Sequence, residues 1–195
     1  MIHCMVDIES FGVRPGYAIR SIAALQFDLD GRKGREFYAN ISLASCEEKG
    51  LLVDPQTLRW WAEQSEGARA KLETNQRPII DVLAEFNVWW DQVGVQKIWG
   101  QGANFDPVLI EAAMEKCGLR PHWKFWNVRD TRTLYDIAEL DTRDVKRAGI
   151  HHHGTDDCAY QVDCVAEAVR RLKRRGSEGN FAEKFNDHLM RGDFF

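Results

Sequence analysis

MVDIESFG, residues 5–12, sets two acidic side chains at the end of an otherwise apolar run. Residues 1–8 predict a buried β-strand, because the run is short and almost continuously hydrophobic. Side chains two apart in a strand leave the same face of the sheet, so Asp7 and Glu9 share one patch. Unpaired carboxylates in a central strand are costly, and a bound cation would remove that cost. Ligation by oxygen alone favours magnesium or manganese over zinc.

The spacing of Asp7 and Glu9 is weak evidence by itself. With 30 acidic residues in 195, a random order gives about five pairs with one residue between them. The opposing interpretation ends the strand at Val6 and turns both acids to solvent. These residues alone do not decide between a metal site and a solvated strand end.

The flanking sequence predicts a mixed sheet. Residues 17–29 and 36–41 predict two further strands, and the Asp-Gly turn at 30–31 joins them, so the chain begins as an antiparallel meander. Residues 95–99 and 125–128 predict a fourth and a fifth strand. The expected fold class is α/β, with a mixed five-stranded sheet whose first three strands are antiparallel and with helices on both faces.

Helices account for most of the remaining chain. Asp54 and Pro55 are typical of an N-cap followed by proline at the first helical position. The predicted helices lie after Asp54, from 79 to about 92, from 106 to 118, from 130 to 140 and from 156 to about 174. We expect one domain over residues 1–175 and a C-terminal appendage over residues 176–195.

Composition narrows the class of protein. The net charge is −4. Proteins that are held on nucleic acid by phosphate contacts alone are strongly basic, so this charge argues against that class. Five cysteines without a C-x-x-C spacing indicate neither a disulfide framework nor a zinc ribbon. No apolar run approaches the ~18 residues of a membrane span, and Asp7 and Glu9 stand where a signal peptide needs apolar residues. We expect a cytoplasmic protein that is neither exported nor embedded in a membrane.

Asp106 and Asp157 each have a simple structural explanation. Asp106 precedes a proline, which is typical of an N-cap, and Asp157 lies where a carboxylate complements the dipole of the last helix. The architecture favours a further role. If the strand that carries Asp7 is central, the strand ending near Trp99 lies beside it and feeds the helix that begins at Asp106. Three carboxylates would then surround one point, with Asp157 as a fourth candidate.

Three stretches, MVDIESFG, ANFDPVLIEAA and HHHGTDDCAYQ, resemble in that order the three motifs of the DnaQ-like 3′–5′ exonuclease superfamily, in its histidine-bearing DEDDh branch. WGQGANFD and WKFWNVRDTRTL are most similar to its small bacterial and phage exoribonuclease-like members. The resemblance implies an RNase H-like fold and an exonuclease domain over residues 1–175. It also implies metal-dependent hydrolysis of single-stranded nucleic acid from the 3′ end, with RNA favoured and nucleoside 5′-monophosphates released.

Carried to this chain, the resemblance makes Asp7, Glu9, Asp106 and Asp157 the ligands of two divalent cations, Mg²⁺ or Mn²⁺. In such two-metal sites one ion lowers the pKa of the attacking water and the other stabilises the departing 3′ oxygen. Cations also neutralise the scissile phosphate, so the net charge of −4 does not exclude a nucleic-acid substrate.

The histidine run at 151–153 contains the general base that the resemblance implies. The family's third motif has a histidine, four residues and then an aspartate. His152 with Asp157 meets this spacing, and so does His151 with Asp156. The family's Asp-Asp doublet, whose second member is the ligand, favours His152 and Asp157 and leaves the other pair as the alternative. A histidine that titrates near neutral pH is a suitable base for the attacking water.

Substrate contacts are expected after the first motif. Ser10, Phe11 and Gly12 fit the family's pattern for a cradle around the terminal nucleotide, in which the Phe11 ring would stack on the base. Many family members carry His-Asn where this chain has the Gln-Gly pair at 101–102. Asn104 is offset from that position and is kept as a substrate-contact candidate.

The resemblance also implies a homodimer that acts on single-stranded nucleic acid with a free 3′ end. The tryptophan pairs at 60–61 and 89–90 lie on predicted amphipathic helices, which is typical of one core and one rim or interface residue rather than of base stacking. Three rivals stay open: a 3′–5′ exodeoxyribonuclease with the same site, a nucleic-acid-binding relative without turnover, and an RNase H-like endonuclease. A zinc protein built on the three histidines is disfavoured, because adjacent histidines rarely converge on one ion.

Overall fold

The computed structural model describes residues 1–148 and 154–178. Its centre is one five-stranded sheet in the order β3-β2-β1-β4-β5. The strands are β1 (His3–Ser10), β2 (Ile19–Phe27), β3 (Lys33–Asn40), β4 (Lys97–Gly100) and β5 (Val128–Asp130). β1 pairs antiparallel with β2 and β2 antiparallel with β3, whereas β4 runs parallel to both β1 and β5. This confirms the expected mixed sheet with three antiparallel strands at its start.

All five strands differ from their expected bounds by one to three residues, and the differences at the end of β1 and the start of β5 have a clear structural reason. β1 continues to Ser10, with Asp7 opposite Ala23 and Glu9 opposite Ser21 of β2, so the interpretation that ended the strand at Val6 is wrong. β5 begins only at Val128, because residues 125–127 form a 3₁₀ turn. The turn carries two aromatic side chains that are exposed by 81% and 59%, which a buried strand does not allow.

Seven α-helices are present in the described parts of the chain. They are α1 (Leu43–Glu48), α2 (Pro55–Glu63), α3 (Glu66–Glu73), α4 (Ile79–Val93), α5 (Asp106–Lys116), α6 (Thr131–Ile137) and α7 (Gly154–Glu178). Asp54 caps α2 as expected, accepting hydrogen bonds from two backbone N–H groups. The sequence pattern misses α1 and α3, since both are short and α3 is mostly polar. α7 continues to Glu178, past its expected end near residue 174, and residues 179–195 of the expected appendage lie outside the described residues.

The sheet buries a different core on each face. Val6 and Ile8 of β1 point to the core that contains residues of α4 and α5, whereas Met5 points to the core that contains residues of α6 and α7. Helices therefore cover both faces, as expected. Asp7 and Glu9 continue the face of Met5, so their side chains emerge toward α7. Within residues 1–148 and 154–178, no helix has both the length and the apolar character needed to cross a bilayer.

The paired tryptophans divide unequally between core and surface. Trp61 is 3% exposed and Trp60 is 42% exposed, which matches one core and one rim residue. Trp89 and Trp90 are both buried, so the same expectation is wrong for the second pair. The reason is that Trp89 stacks on Phe86, with ring centroids 5.9 Å apart, and this aromatic packing closes both rings into the core.

Candidate active site

Three carboxylates converge where β1 meets α7. One carboxylate oxygen each from Asp7, Glu9 and Asp157 lies within 4.8 Å of the other two. β1 supplies the first two from one face, and the first turn of α7 supplies the third. The described structure thus brings Asp157, and not Asp156, to the two acids of β1. Asp7, Glu9 and Asp157, together with the neighbouring Asp106, are called the acid cluster below.

α7 reaches the sheet closely because its first residue is a glycine. A Cβ atom on Gly154 would lie 2.6 Å from the Cβ of Ala23 and 3.8 Å from an Oδ of Asp7. The first of these distances is a clash with an atom attached directly to the backbone of β2. Any other residue at 154 therefore pushes the start of α7 away from the sheet, and Asp157 with it.

We expect Gly154→Ala to lower activity by about tenfold or more and to destabilise the fold by about 1–3 kcal/mol, because the added methyl overpacks the junction. Gly176→Ala is the matched control, since Gly176 lies in the same helix and its Cβ would meet nothing within 4 Å. The control is expected to keep full activity and to gain up to about 1 kcal/mol from helix propensity. Urea unfolding and nuclease rates of both variants check this, and equal losses in the two would contradict it.

Asp106 of α5 lies on the other side of β1, close enough for its charge to act on Asp7, but in the described structure it is not one of the three carboxylates that converge within 4.8 Å. Phe105 occupies the N-cap position of α5 and Asp106 lies in its first turn, so the simple explanation of Asp106 as the cap is wrong. Its carboxylate instead accepts hydrogen bonds from the backbone N–H groups of Ile8 and Gln101, each at 3.2 Å. These bonds tie α5 to the ends of β1 and β4. A Cβ on Gly100 would lie 2.9 Å from the same carboxylate, so glycine leaves room for it.

Burial raises the pKa values of Asp7, Glu9 and Asp106. The pKa of Asp7 is raised well above its usual range, first by burial and then by the charges of Asp106 and Asp157. A hydrogen bond of 2.9 Å from Nε2 of Gln161 acts in the opposite direction. Burial likewise raises the pKa of Glu9 to about 7 and that of Asp106 to about 6. The cluster is costly to ionise without a counter-charge, which suits carboxylate oxygens that hold a divalent cation.

The cleft at the acid cluster contains both carboxylates of β1. It is lined by Asp7, Ile8, Glu9, Gln101, Arg147, Asp157, Tyr160 and Gln161, and we call it the acid cleft. Gln101, at the position where the family pattern has histidine, is one of the residues that line this cleft. Asn104 is exposed and lines neither this cleft nor the neighbouring one.

A second cleft of 440 Å³ adjoins the first and shares Ile8 and Glu9 with it. Its other lining residues are Ser10, Val13, Asp54, Gln56, Thr57, Trp60, Trp61 and Phe105, and we call it the aromatic cleft. Trp61 fixes α2 against the end of β1, because its Nε1 donates a hydrogen bond of 2.9 Å to the carbonyl of Ser10. Trp60 packs edge-on against Trp61, with ring centroids 4.8 Å apart.

The expected nucleotide cradle is only partly as predicted. Ser10 lines the aromatic cleft and donates a hydrogen bond of 2.7 Å to the carbonyl of Gly12. A Cβ on Gly12 would lie 2.3 Å from the ring of Tyr17, so the turn after β1 requires glycine. Phe11 is 6% exposed in the core, and Arg20 covers its ring at 5.3 Å. The expectation that Phe11 stacks on a base is therefore wrong.

No pattern in the sequence predicts a place in the site for Trp60, Phe105 or Arg147. The sequence does carry a signal for Trp60. When two adjacent residues of a helix are aromatic and only one of them is buried, the other presents its ring to solvent. Phe105 directly precedes Asp106 and so enters the site with it. The histidines at 151–153, including His152 and the alternative His151, lie outside the described residues.

The sequence matches a known protein family over most of its length. The family model of the 3′–5′ exoribonuclease Rv2179c-like domain matches residues 2–169. The chain belongs to this family. The match confirms the resemblance to the DnaQ-like 3′–5′ exonuclease superfamily, and residues 2–169 are a 3′–5′ exonuclease domain of the Rv2179c-like type. No curated protein sequence matches the chain.

Solved structures share the fold of this Rv2179c-like domain at low sequence identity. Exonuclease I, in a study of how processivity is achieved, superposes with a TM-score of 0.64 at 16% identity, over 88% of this chain and 41% of that one. E. coli exonuclease I in complex with a dT13 oligonucleotide gives a TM-score of 0.62 at 15% identity, over 90% and 42%. The zinc-bound form of the E. coli exonuclease I complex with single-stranded DNA gives 0.58 at 15%, over 95% and 43%. The chain thus spans less than half the length of these proteins.

Proposed function

We propose that the protein is a metal-dependent 3′–5′ exonuclease that removes nucleoside 5′-monophosphates from single-stranded nucleic acid, with RNA as the preferred substrate. The observation that carries the proposal is the convergence of Asp7, Glu9 and Asp157 within 4.8 Å in a chain that belongs to an exoribonuclease family. A two-metal site built on these carboxylates and Asp106 accounts for charged groups that are otherwise costly at the centre of the sheet.

The donor set suits Mg²⁺ or Mn²⁺, because every candidate ligand is a carboxylate oxygen. When bound, such ions supply Lewis acidity that activates a water and neutralises charge on the departing 3′ oxygen. The protein's own groups orient the ligands. Gln161 holds one oxygen of Asp7, and the backbone N–H groups of Ile8 and Gln101 hold both oxygens of Asp106. These hydrogen bonds fix the carboxylates before a cation arrives.

His152 is proposed as the general base. The position of Asp157 in the acid cluster supports this choice, because the family spacing then counts back to His152 and not to His151. Asp156 lies in the same first turn of α7 and is the partner that the alternative register would need. Its absence from the group of converging carboxylates in the described structure favours the register of His152 and Asp157.

The aromatic cleft is proposed to hold the terminal nucleotide, which gives Trp60 the base-stacking role that the tryptophan pairs were not expected to have. It opens beside Glu9, so a base between Trp60 and Phe105 leaves its phosphate near the acid cluster. Flat aromatic side chains bind any base through its face, which suits an enzyme that removes nucleotides in succession. Ser10 offers a polar contact in the same cleft, and the backbone of Gly12 forms its neighbouring turn.

We expect Trp60→Ala to raise KM for an oligonucleotide by about tenfold with little change in kcat, because stacking on one base contributes about 1–3 kcal/mol. Trp126→Ala is the matched control, since Trp126 is also exposed, by 59%, but lines neither cleft. Steady-state kinetics on one single-stranded oligonucleotide measure both variants. A KM for Trp60→Ala equal to that of the control contradicts the assignment of this cleft.

A matched pair of substrates tests the proposed activity and its sugar preference. RNA and DNA of one sequence, labelled at the 5′ end, are each offered with a free and with a blocked 3′ end in Mn²⁺. We expect stepwise shortening of free-ended RNA, slower shortening of DNA and protection of both blocked substrates, because contacts to the 2′-hydroxyl separate the sugars. Faster digestion of DNA supports the exodeoxyribonuclease alternative, and internal cuts in blocked substrates support an endonuclease.

The assembly and location of the protein are also proposals. A homodimer is the state implied by the superfamily, and sedimentation of the purified chain tests it. A cytoplasmic location agrees with five free cysteines, of which four are buried, because thiols persist in a reducing compartment.

A further inference from the structure

A cation from the loop after α6 lies in the acid cleft. Arg147 forms a salt bridge with Asp157 in which the two side chains are 24% and 14% exposed. Its guanidinium carbon also lies 4.7 Å from the ring centre of Tyr160. Among the described residues that line this cleft, Arg147 is the only one with a positive charge.

Contacts with the surrounding fold hold the side chain of Arg147 in this position. Tyr160 projects from α7, and its hydroxyl donates a hydrogen bond of 2.6 Å to the carbonyl of Thr142, so the ring under the guanidinium is fixed at both ends. A flat cation over an aromatic face is favourable, more so when it is partly desolvated. One donor is left over: Nε of Arg147 is buried and has no hydrogen-bond partner in the described part of the chain.

The salt bridge uses a carboxylate that the metal site also needs. Asp157 is one of the three residues whose oxygens converge, and Arg147 occupies one of its two oxygens. Repulsion among closely spaced carboxylates is offset when a cation lies beside them. A guanidinium and a divalent ion at the same carboxylate repel each other, so the presence of one weakens the binding of the other at this position.

We propose that Arg147 is the counter-ion of the acid cluster in the metal-free protein and competes with the divalent cation for Asp157, so that it determines the metal concentration at which the site fills. The inference rests on the metal site of the proposed function. Arg147 thereby acts on catalysis through Asp157 and is a positioning residue.

Calorimetric titration of the purified full chain with Mn²⁺, without nucleic acid, tests the competition. Arg147→Met keeps an apolar chain over Tyr160 and removes the charge, and it is expected to bind Mn²⁺ about tenfold more tightly than the wild type. Arg147→Lys keeps a charge and is expected to bind Mn²⁺ with an affinity between the two. Arg143→Met is the matched control, because Arg143 pairs with Asp141 in the preceding turn at 89% exposure and should leave the affinity unchanged.

The outcomes separate the competition from the metal site itself. Tighter binding by Arg147→Met, with circular dichroism spectra equal to the wild type, supports the competition. Equal or weaker Mn²⁺ binding by Arg147→Met overturns it while leaving the metal site in place. If the wild type and all three variants bind no Mn²⁺, the metal site fails and the competition with it. The Mn²⁺ concentration for half-maximal nuclease activity should fall in parallel with the dissociation constant.

Discussion

Asp7→Asn is expected to reduce nuclease activity by about 10³-fold or more while leaving a protein that is more stable than the wild type at pH 8 without metal. Asn keeps the shape of the side chain but removes the carboxylate that β1 places at the centre of the acid cluster. Metal-assisted charge stabilisation contributes several kcal/mol to catalysis, which corresponds to this loss of rate. Nuclease assays in Mn²⁺ and urea unfolding in EDTA measure the two effects.

The expected gain in stability follows from the direction of the pKa shifts. The folded protein raises the pKa of Asp7, and that of Glu9 to about 7, so it holds these protons more tightly than the unfolded chain does. Stability from this source is complete below the unfolded pKa of Glu9, near 4.5, and is lost as the pH rises to about 7. Glu9 alone should account for about 2 kcal/mol of that loss, after allowance for its partial exposure. Asp7→Asn removes one of the charges responsible.

The dependence of stability on pH and Mn²⁺ distinguishes the loss of the metal site from the loss of the fold. Wild-type protein in EDTA should unfold at a lower urea concentration at pH 8 than at pH 5. Mn²⁺ should restore its stability at pH 8 by binding the folded state. Asp7→Asn should show a smaller change with pH and a smaller response to Mn²⁺. An Asp7→Asn protein with near-normal activity, or a wild type whose metal-free stability rises from pH 5 to pH 8, would contradict the assignment of this cluster.

His152→Ala is expected to lower kcat by about 10²- to 10⁴-fold, because a positioned general base contributes that much to proton transfer. Changes at the neighbouring histidines, His151→Ala and His153→Ala, serve as matched controls and should retain most activity. Mn²⁺ affinity should be the same in all three variants, since none of these side chains is proposed as a ligand. The register is wrong if His151→Ala loses turnover while His152→Ala keeps it.

Asp106 and Asp157 are reached only through the expected architecture and the family resemblance, whereas the period of a strand relates Asp7 to Glu9 without tertiary information. The same holds for the sheet, whose five strands and antiparallel start follow from short apolar runs and one Asp-Gly turn. Asp106 shows where local rules fail. Its place before a proline is typical of a cap, yet its carboxylate bonds to β1 and β4, a contact that depends on how α5 packs.

Prediction from the sequence also fails at Phe11 and Arg147, for a different reason. Phe11 follows the motif acids, and the superfamily pattern places it beside the substrate, but the turn after β1 rotates its ring into the core under Arg20. Arg147 lies in a loop without periodicity, and only the approach of that loop to Tyr160 brings it to Asp157. Contacts between distant loops and helices have no local signature in sequence, so neither position was predictable from pattern.

The release of the terminal nucleotide from RNA labelled at its 3′ end tests the central claim most directly. Wild-type protein in Mn²⁺ should release the label at once as a nucleoside 5′-monophosphate, and both EDTA and Asp7→Asn should prevent the release. Label that first appears in longer fragments, label released as a nucleoside without its 5′ phosphate, or equal release by Asp7→Asn would contradict a carboxylate-held metal site that cuts from the 3′ end.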